Sequence, residues 1–358
     1  MFRRVGLGLV ALVVVAGCSS TPGTEPTTPD PENAAPELHS LVEGPTESSQ
    51  LESDRDAPWQ AAIDDAREFL APRGSEAHPL DFAVSENVPA AEAETIRTGV
   101  TRALSILGPQ IDSERPLAVT VVHPLDKEWF LERWEQLGRD NTGEFWWDKS
   151  QENGGGAVGW GDDLVPNMYY MVSGDYPPTG DGVDYYVHET LHFLQVLAYG
   201  DINDREGMCW IPEGTAMFVG AALSYFDDNP ATDSDRLASI EHYRFVRDDI
   251  STVLAEHYSS VDNLQGQLVD DIVRFPAFDQ RCQFESPQFG YTLGMLVTEQ
   301  FVLDFGSKDL FDFFYLLDEN SISDAFFSAT GVDYEEWVTS QASVAIADNL
   351  TGLADEVS

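Results

Sequence analysis

One run of residues constrains this chain more than any other: Tyr185-Tyr186-Val187-His188-Glu189-Thr190-Leu191-His192-Phe193-Leu194-Gln195-Val196-Leu197-Ala198-Tyr199 has the periodicity of a buried helix, yet it carries two histidines and a glutamate. Val187, Leu191, Leu194 and Leu197 or Ala198 are expected to face inward, and Gly200 to stop the helix. Ionisable groups in such a setting need partners. His188 and His192 lie one turn apart on one face, so both imidazoles can reach a single metal ion, with Glu189 at the edge of that face. With seven histidines in the chain, the pentapeptide alone arises by chance about once in a hundred such sequences. Its apolar flanks give it weight.

Zinc held by such a pair keeps a position open for water, acidifies that water and polarises a carbonyl oxygen, and Glu189 is expected to take the proton of the attacking water. A third ligand must follow. The metzincin continuation needs a glycine and a histidine where this chain has Gln195 and Ala198, which excludes it. Twenty-one residues after His192 stands Glu213, within Trp210-Ile211-Pro212-Glu213-Gly214-Thr215-Ala216. A second helix is expected to begin near Pro212, because proline is tolerated in a first turn, and Glu213 can then point back at the first helix.

The two segments together resemble the H-E-x-x-H and W-x-x-E-G-x-A motifs of the gluzincins, the clan of thermolysin-like and aminopeptidase-like zinc peptidases. The resemblance extends in outline from about Ala90 to Trp337. It implies zinc on His188, His192 and Glu213, Glu189 as general base, and a peptide or protein substrate. The implied fold is α+β and zincin-like, with a small mixed sheet, an active-site helix and a mainly helical C-terminal lobe. It also implies an oxyanion stabiliser, for which Tyr291 in PQFGYTLGMLVTEQFV is the candidate. His242 and His257, on an acidic helical stretch expected to face solvent, are the alternatives. The run from Gly154 to Val172 precedes the histidine helix as the substrate-binding edge strand does in this clan, although Tyr169, Tyr170 and Trp160 read equally well as sheet packing. One departure concerns the position four residues after Glu213, where thermolysin carries an aspartate and this chain carries Met217, so support for the ligands must come from elsewhere.

The opening MFRRVGLGLVALVVVAGCSS places two arginines before an apolar run too short to span and stay, which reads as an export signal over 1–17. Val15-Ala16-Gly17-Cys18 resembles the lipobox of prokaryotic lipoproteins and implies a lipidated Cys18. Residues 18–58, with seven prolines and no aromatic residue before Trp59, read as a tether reaching about 35 Å. The expectation is an extracytoplasmic protein, lipid-anchored to a prokaryotic membrane, with a catalytic domain over 59–358 that is mixed α/β to about residue 200 and helical after. Cys209 and Cys282 are expected to pair in an oxidising space. That bridge would tie the segment before Glu213 to the segment before Tyr291. A formal charge of −44 with only three lysines, Lys127, Lys149 and Lys308, excludes nucleic acid as a partner and disfavours acidic substrates.

Helical spacing is expected over Ala90–Leu107, followed by the alternating, strand-like LAVTVVHPL, a short amphipathic helix in WFLERWEQLGRD and a second strand in VPNMYYMVSG. Between the last two, the glycine-rich GEFWWDKSQENGGGAVGWGDDL is expected to break regular structure. Two other functions compete with the peptidase. One is a zincin-fold binding lipoprotein without turnover, and the other a zinc hydrolase acting on a non-peptide amide or ester of the envelope.

Overall fold

The computed structural model describes residues 57–70, 78–108, 116–139, 142–153, 155–158, 167–172, 184–199, 210–223, 233–273 and 290–357. Four strands form one sheet in the order β1-β2-β4-β3: β1 (Leu80–Val84), β2 (Leu117–Val122), β3 (Gly155–Val158) and β4 (Asn167–Met171). β1, β2 and β4 are parallel, with Leu80 opposite Leu117 and Ala118 opposite Asn167. β3 runs antiparallel along the outer side of β4, with Gly155 opposite Tyr170 and Val158 opposite Asn167.

Both faces of the central strands are covered, so every residue of β2 is buried, Thr120 included, where the sequence suggests alternation. Leu117, Val119 and Val121 of β2, Met168 and Tyr170 of β4, and Val172 just after it face the main core. Val122, Tyr169 and Met171 face a second cluster with Phe130, Trp134, Trp146 and Trp147. The second cluster explains a difference from the sequence expectation. Gly143–Asn153 is a helix (α4) and not a break, because Trp146 docks between Trp134 and Tyr169, at ring-centroid distances of 6.0 and 5.7 Å. Burying aromatic rings of this size contributes several kcal/mol, about 3–5 for each large ring removed, enough to override a glycine-rich composition. The preceding helix, α3 (Lys127–Gln136), supplies Phe130 and Trp134.

On the main-core face lie α2 (Ala90–Leu107) and the histidine helix, α5 (Asp184–Tyr199). They approach closely because Gly99 has no side chain: a Cβ there would fall 2.2 Å from Cδ2 of Tyr186. α5 is buried almost all round rather than on one face. Val187, Leu191, Leu194 and Ala198 are inward as expected, and Leu197 is partly buried.

The rest is helical: α6 (Thr215–Leu223), α7 (Asp233–Tyr258), α8 (Leu264–Val273), α9 (Thr292–Phe305), α10 (Ser307–Leu316), α11 (Ile322–Thr330), α12 (Tyr334–Trp337) and α13 (Ser343–Val357). The coarse α+β expectation of a small mixed sheet followed by a helical part therefore holds. The helix α1 (Ala57–Leu70) precedes the sheet in sequence but packs on the helical part. Trp59 stacks on Tyr243 at 5.6 Å and Phe69 meets Phe311 at 5.3 Å. One hydrophobic core runs from Trp59 to Leu350. Inside it, Glu299 accepts from the Tyr243 hydroxyl at 2.8 Å and from Arg247 Nε and Nη2 at 2.9 and 3.1 Å, while Arg247 Nη1 donates to Asn349. Among the described residues no helix is long and apolar enough to cross a membrane.

Candidate metal centre

α5 carries His188 and His192 one turn apart, and their Nε2 atoms lie 3.1 Å from each other. The third group comes from the turn Trp210–Gly214, whose carboxylate, Glu213 Oε2, stands 3.4 Å from His188 Nε2 and 3.3 Å from His192 Nε2. Glu213 was expected in the first turn of an α-helix beginning near Pro212. Instead Pro212 lies within a π-wound turn, and α-helical geometry begins at Thr215. Pro212 has no N–H to donate along a helix, and widened turns of this kind recur at functional sites.

Two anchors hold the turn. Trp210 donates from Nε1 to the Tyr334 hydroxyl at 3.0 Å and stacks on Phe313. Gly214 meets Gly294 of α9 backbone to backbone, and a Cβ on Gly214 would fall 2.2 Å from the Gly294 carbonyl carbon. The same contact brings the N-terminus of α9 to the site. Tyr291, the residue capping that helix, is 5 % exposed, and its ring is parallel to that of His188 within 4° at 6.1 Å.

All three ligand candidates are buried, and together they form a group able to hold a metal ion. The distances allow a direct test of fit. A tetrahedral ion bonded to imidazole nitrogen and carboxylate oxygen at about 2.0–2.1 Å requires ligand atoms about 3.3–3.4 Å apart. The three observed separations, 3.1, 3.3 and 3.4 Å, match that edge length. The two histidine contacts to Glu213, at 3.4 and 3.3 Å, are longer than an ordinary hydrogen bond, as expected of atoms spaced to share an ion.

Electrostatics at the centre follow from burial. Burial pushes Glu213 up, but His192 and His188 outweigh it and hold the carboxyl well below the usual range. Burial pulls His192 down, and Glu213 more than reverses this, with smaller help from Glu189 and Gln195. Glu189 is fully buried, and neither of its oxygens has a hydrogen-bond partner among the described residues. Burial raises its carboxyl to about 8, with His192 pulling down and Glu213 pushing up.

The structure thus brings His188, Glu189, His192, Glu213 and Tyr291 together. His257 is exposed and edge-on to Tyr258, and His242 is partly buried on the same helix, α7; among the described residues the metal-binding group includes neither. Tyr169 and Tyr170 are buried in the sheet, as the packing reading expects. Trp160, Gly200, Cys18, Cys209 and Cys282, and with them the lipidation and disulfide expectations, lie outside the described residues.

Sequence reading passed over two residues. In the sequence Gln195 only occupies the place where a metzincin needs a glycine, yet its Oε1 is 2.8 Å from His192 Nδ1. Thr215 entered only as part of a motif, yet its hydroxyl meets the Gln195 amide at 2.6 Å. The available signal was a lone amide among the apolar residues that follow His192 in the helix. Tyr169 is a further neighbour, since its hydroxyl is pushed up by burial and by the charge of Glu189.

No protein-family model, curated protein or solved structure matches this chain. The chemistry of the centre is therefore read from its own residues.

Proposed function

We propose that this protein is a zinc-dependent peptidase, with zinc on His188, His192 and Glu213 and with Glu189 as general base. The observation that carries the proposal is the convergence of His188 Nε2, His192 Nε2 and Glu213 Oε2 at tetrahedral edge lengths, beside the buried Glu189 carboxyl, which no donor among the described residues holds. Two imidazoles and one carboxylate suit zinc, and three protein ligands leave a fourth position for substrate or water. Zinc bound there polarises a carbonyl, acidifies water and, as a cation, draws Glu189 back toward its ionised form.

Glu189 takes the proton of the attacking water and passes it to the leaving amine, a transfer favoured by a carboxyl whose affinity for protons lies near neutrality. Tyr291 donates a hydrogen bond to the carbonyl oxygen as it gains negative charge. β3 offers an outer edge, next to α5, along which an extended peptide backbone can pair. The arginine-led leader, Cys18 and the proline-rich tether support a lipid-anchored enzyme acting outside the cytoplasmic membrane.

The test compares cleavage of unfolded casein by the zinc-loaded protein and by Glu189→Gln at equal zinc content. Cleavage by the first, reduced at least about a thousandfold in the second, is the expected result. Zinc in both with cleavage by neither transfers the same centre to a non-peptide amide or ester.

A further inference from the structure

Gln195 is 2 % exposed and joins the two segments that carry the ligands. Its Oε1 lies 2.8 Å from His192 Nδ1, while its Nε2 lies 3.1 Å from the Pro212 carbonyl and 2.6 Å from the Thr215 hydroxyl. These contacts fix who donates. A carbonyl oxygen only accepts, so the amide must turn its NH2 toward Pro212, which leaves Oε1 facing His192. Only a protonated Nδ1 satisfies that oxygen. Nε2 of the neutral imidazole is then the bare nitrogen, and it is the atom directed at His188 and Glu213. Thr215 accepts from Gln195 and donates its own proton to the Ile211 carbonyl, so no donor in the chain faces another donor.

We propose that Gln195 is the positioning residue of this centre: it selects the His192 tautomer that presents Nε2 and clasps the Glu213 turn to the histidine helix. The inference rests on the metal-site reading above. Among side chains of this length only an amide does both, since a carboxylate has no donor for Pro212 and Thr215, and a lysine has no acceptor for Nδ1. It also accounts for Met217. The support that an acidic residue after Glu213 could provide comes here from the other ligand-bearing helix, as a neutral group.

Two measurements test it, with zinc as the probe. In zinc-loaded wild-type protein labelled with 15N-histidine, long-range 1H–15N spectra should show His192 with its proton on Nδ1, exchanging slowly with solvent. In chelator competition, Gln195→Met should raise the zinc dissociation constant about 10–100-fold. Gln195→Glu, which keeps the acceptor and loses the clasp, should recover part of that loss, and Thr215→Val should lose less than Gln195→Met. Unchanged zinc affinity in folded Gln195→Met, or a wild-type spectrum with the proton on Nε2, overturns the proposal while leaving the metal site standing. A wild-type protein that binds no zinc overturns the metal-site reading itself. Should Gln195→Met fail to fold, the wild-type spectrum decides alone.

Discussion

The charged clusters around Glu299 and Glu213 each centre on a buried glutamate, and they are finished to different degrees. At Glu299 every charged group is met: Tyr243 and Arg247 donate to the carboxylate, and Arg247 reaches on to Asn349, which itself donates to Ser251. At Glu213 the two imidazoles stand off at 3.3 and 3.4 Å, longer than an ordinary hydrogen bond, and Glu189 beside them has no hydrogen-bond donor among the described residues. Burying an ionised group without completing its hydrogen bonds costs several kcal/mol. The first cluster offsets that cost within the fold. Under the proposed function a cation and a substrate would offset it at the second, and that contrast would separate a structural ion network from a functional one.

The largest expected effect falls on the finished cluster. Arg247→Met leaves Glu299 buried with one donor from Tyr243, and the unfolding free energy in urea should fall by about 3–5 kcal/mol while the folded fraction still binds zinc. Next comes the turn that carries Glu213. Gly214→Ala forces a Cβ against the Gly294 backbone, and should cost about 1–3 kcal/mol and weaken zinc binding in chelator competition, because Glu213 must move with its neighbour. The sharpest comparison makes the same substitution twice. Glu299→Gln breaks hydrogen bonds to a charged partner and should cost about 1.5–3 kcal/mol, whereas Glu189→Gln replaces a carboxyl that burial already pushes toward its neutral form and that has no hydrogen-bond partner among the described residues, and should change metal-free stability by less than about 1 kcal/mol. Equal losses at the two positions would erase the distinction drawn between the clusters.

The smallest effect concerns a carboxylate that is satisfied at the surface. Asp126 accepts from the Ser85 hydroxyl and from the backbone N–H and side-chain amide of Asn87, tying the end of β1 to the start of α3. Slight burial pushes its carboxyl up, but those hydrogen bonds outweigh it and hold it below its ordinary value of 3.8. A lowered folded value means that the ionised form stabilises the fold above pH 3.8, and that this contribution disappears as pH falls through the folded value. The stability gap between wild type and Asp126→Asn should accordingly be constant near neutrality and close in acid, as read by urea titrations at stepped pH.

Much of the centre was legible in the sequence because its candidate ligands obey short-range rules. His188 and His192 are related by one helical turn, and Glu213 sits in a motif of its own. The supporting contacts were less legible because they depend on how separate segments meet. Gln195 is unremarkable until Pro212 and Thr215 come within hydrogen-bond distance, and Gly294 carries no signal until Gly214 lies against it. The same holds for the fold. α2, α3, β2 and β4 follow from periodicity, whereas α4 forms against the glycine-rich composition around it because Trp146 has an aromatic cluster to enter. Likewise Pro212 reads as a helix start by local rule, and it became part of a π turn that the Trp210 and Gly214 anchors hold in place.

The central claim is that the unfinished cluster is completed by zinc, and metal analysis of folded protein tests it most directly. Wild type and Glu213→Gln, produced with zinc in the medium and passed through gel filtration, are to be compared by mass spectrometry for bound metal and by circular dichroism for folding. The account expects about one zinc per wild-type chain and a small fraction of that in an equally folded Glu213→Gln. Folded wild-type protein free of zinc, or equal zinc in the two proteins, would contradict it.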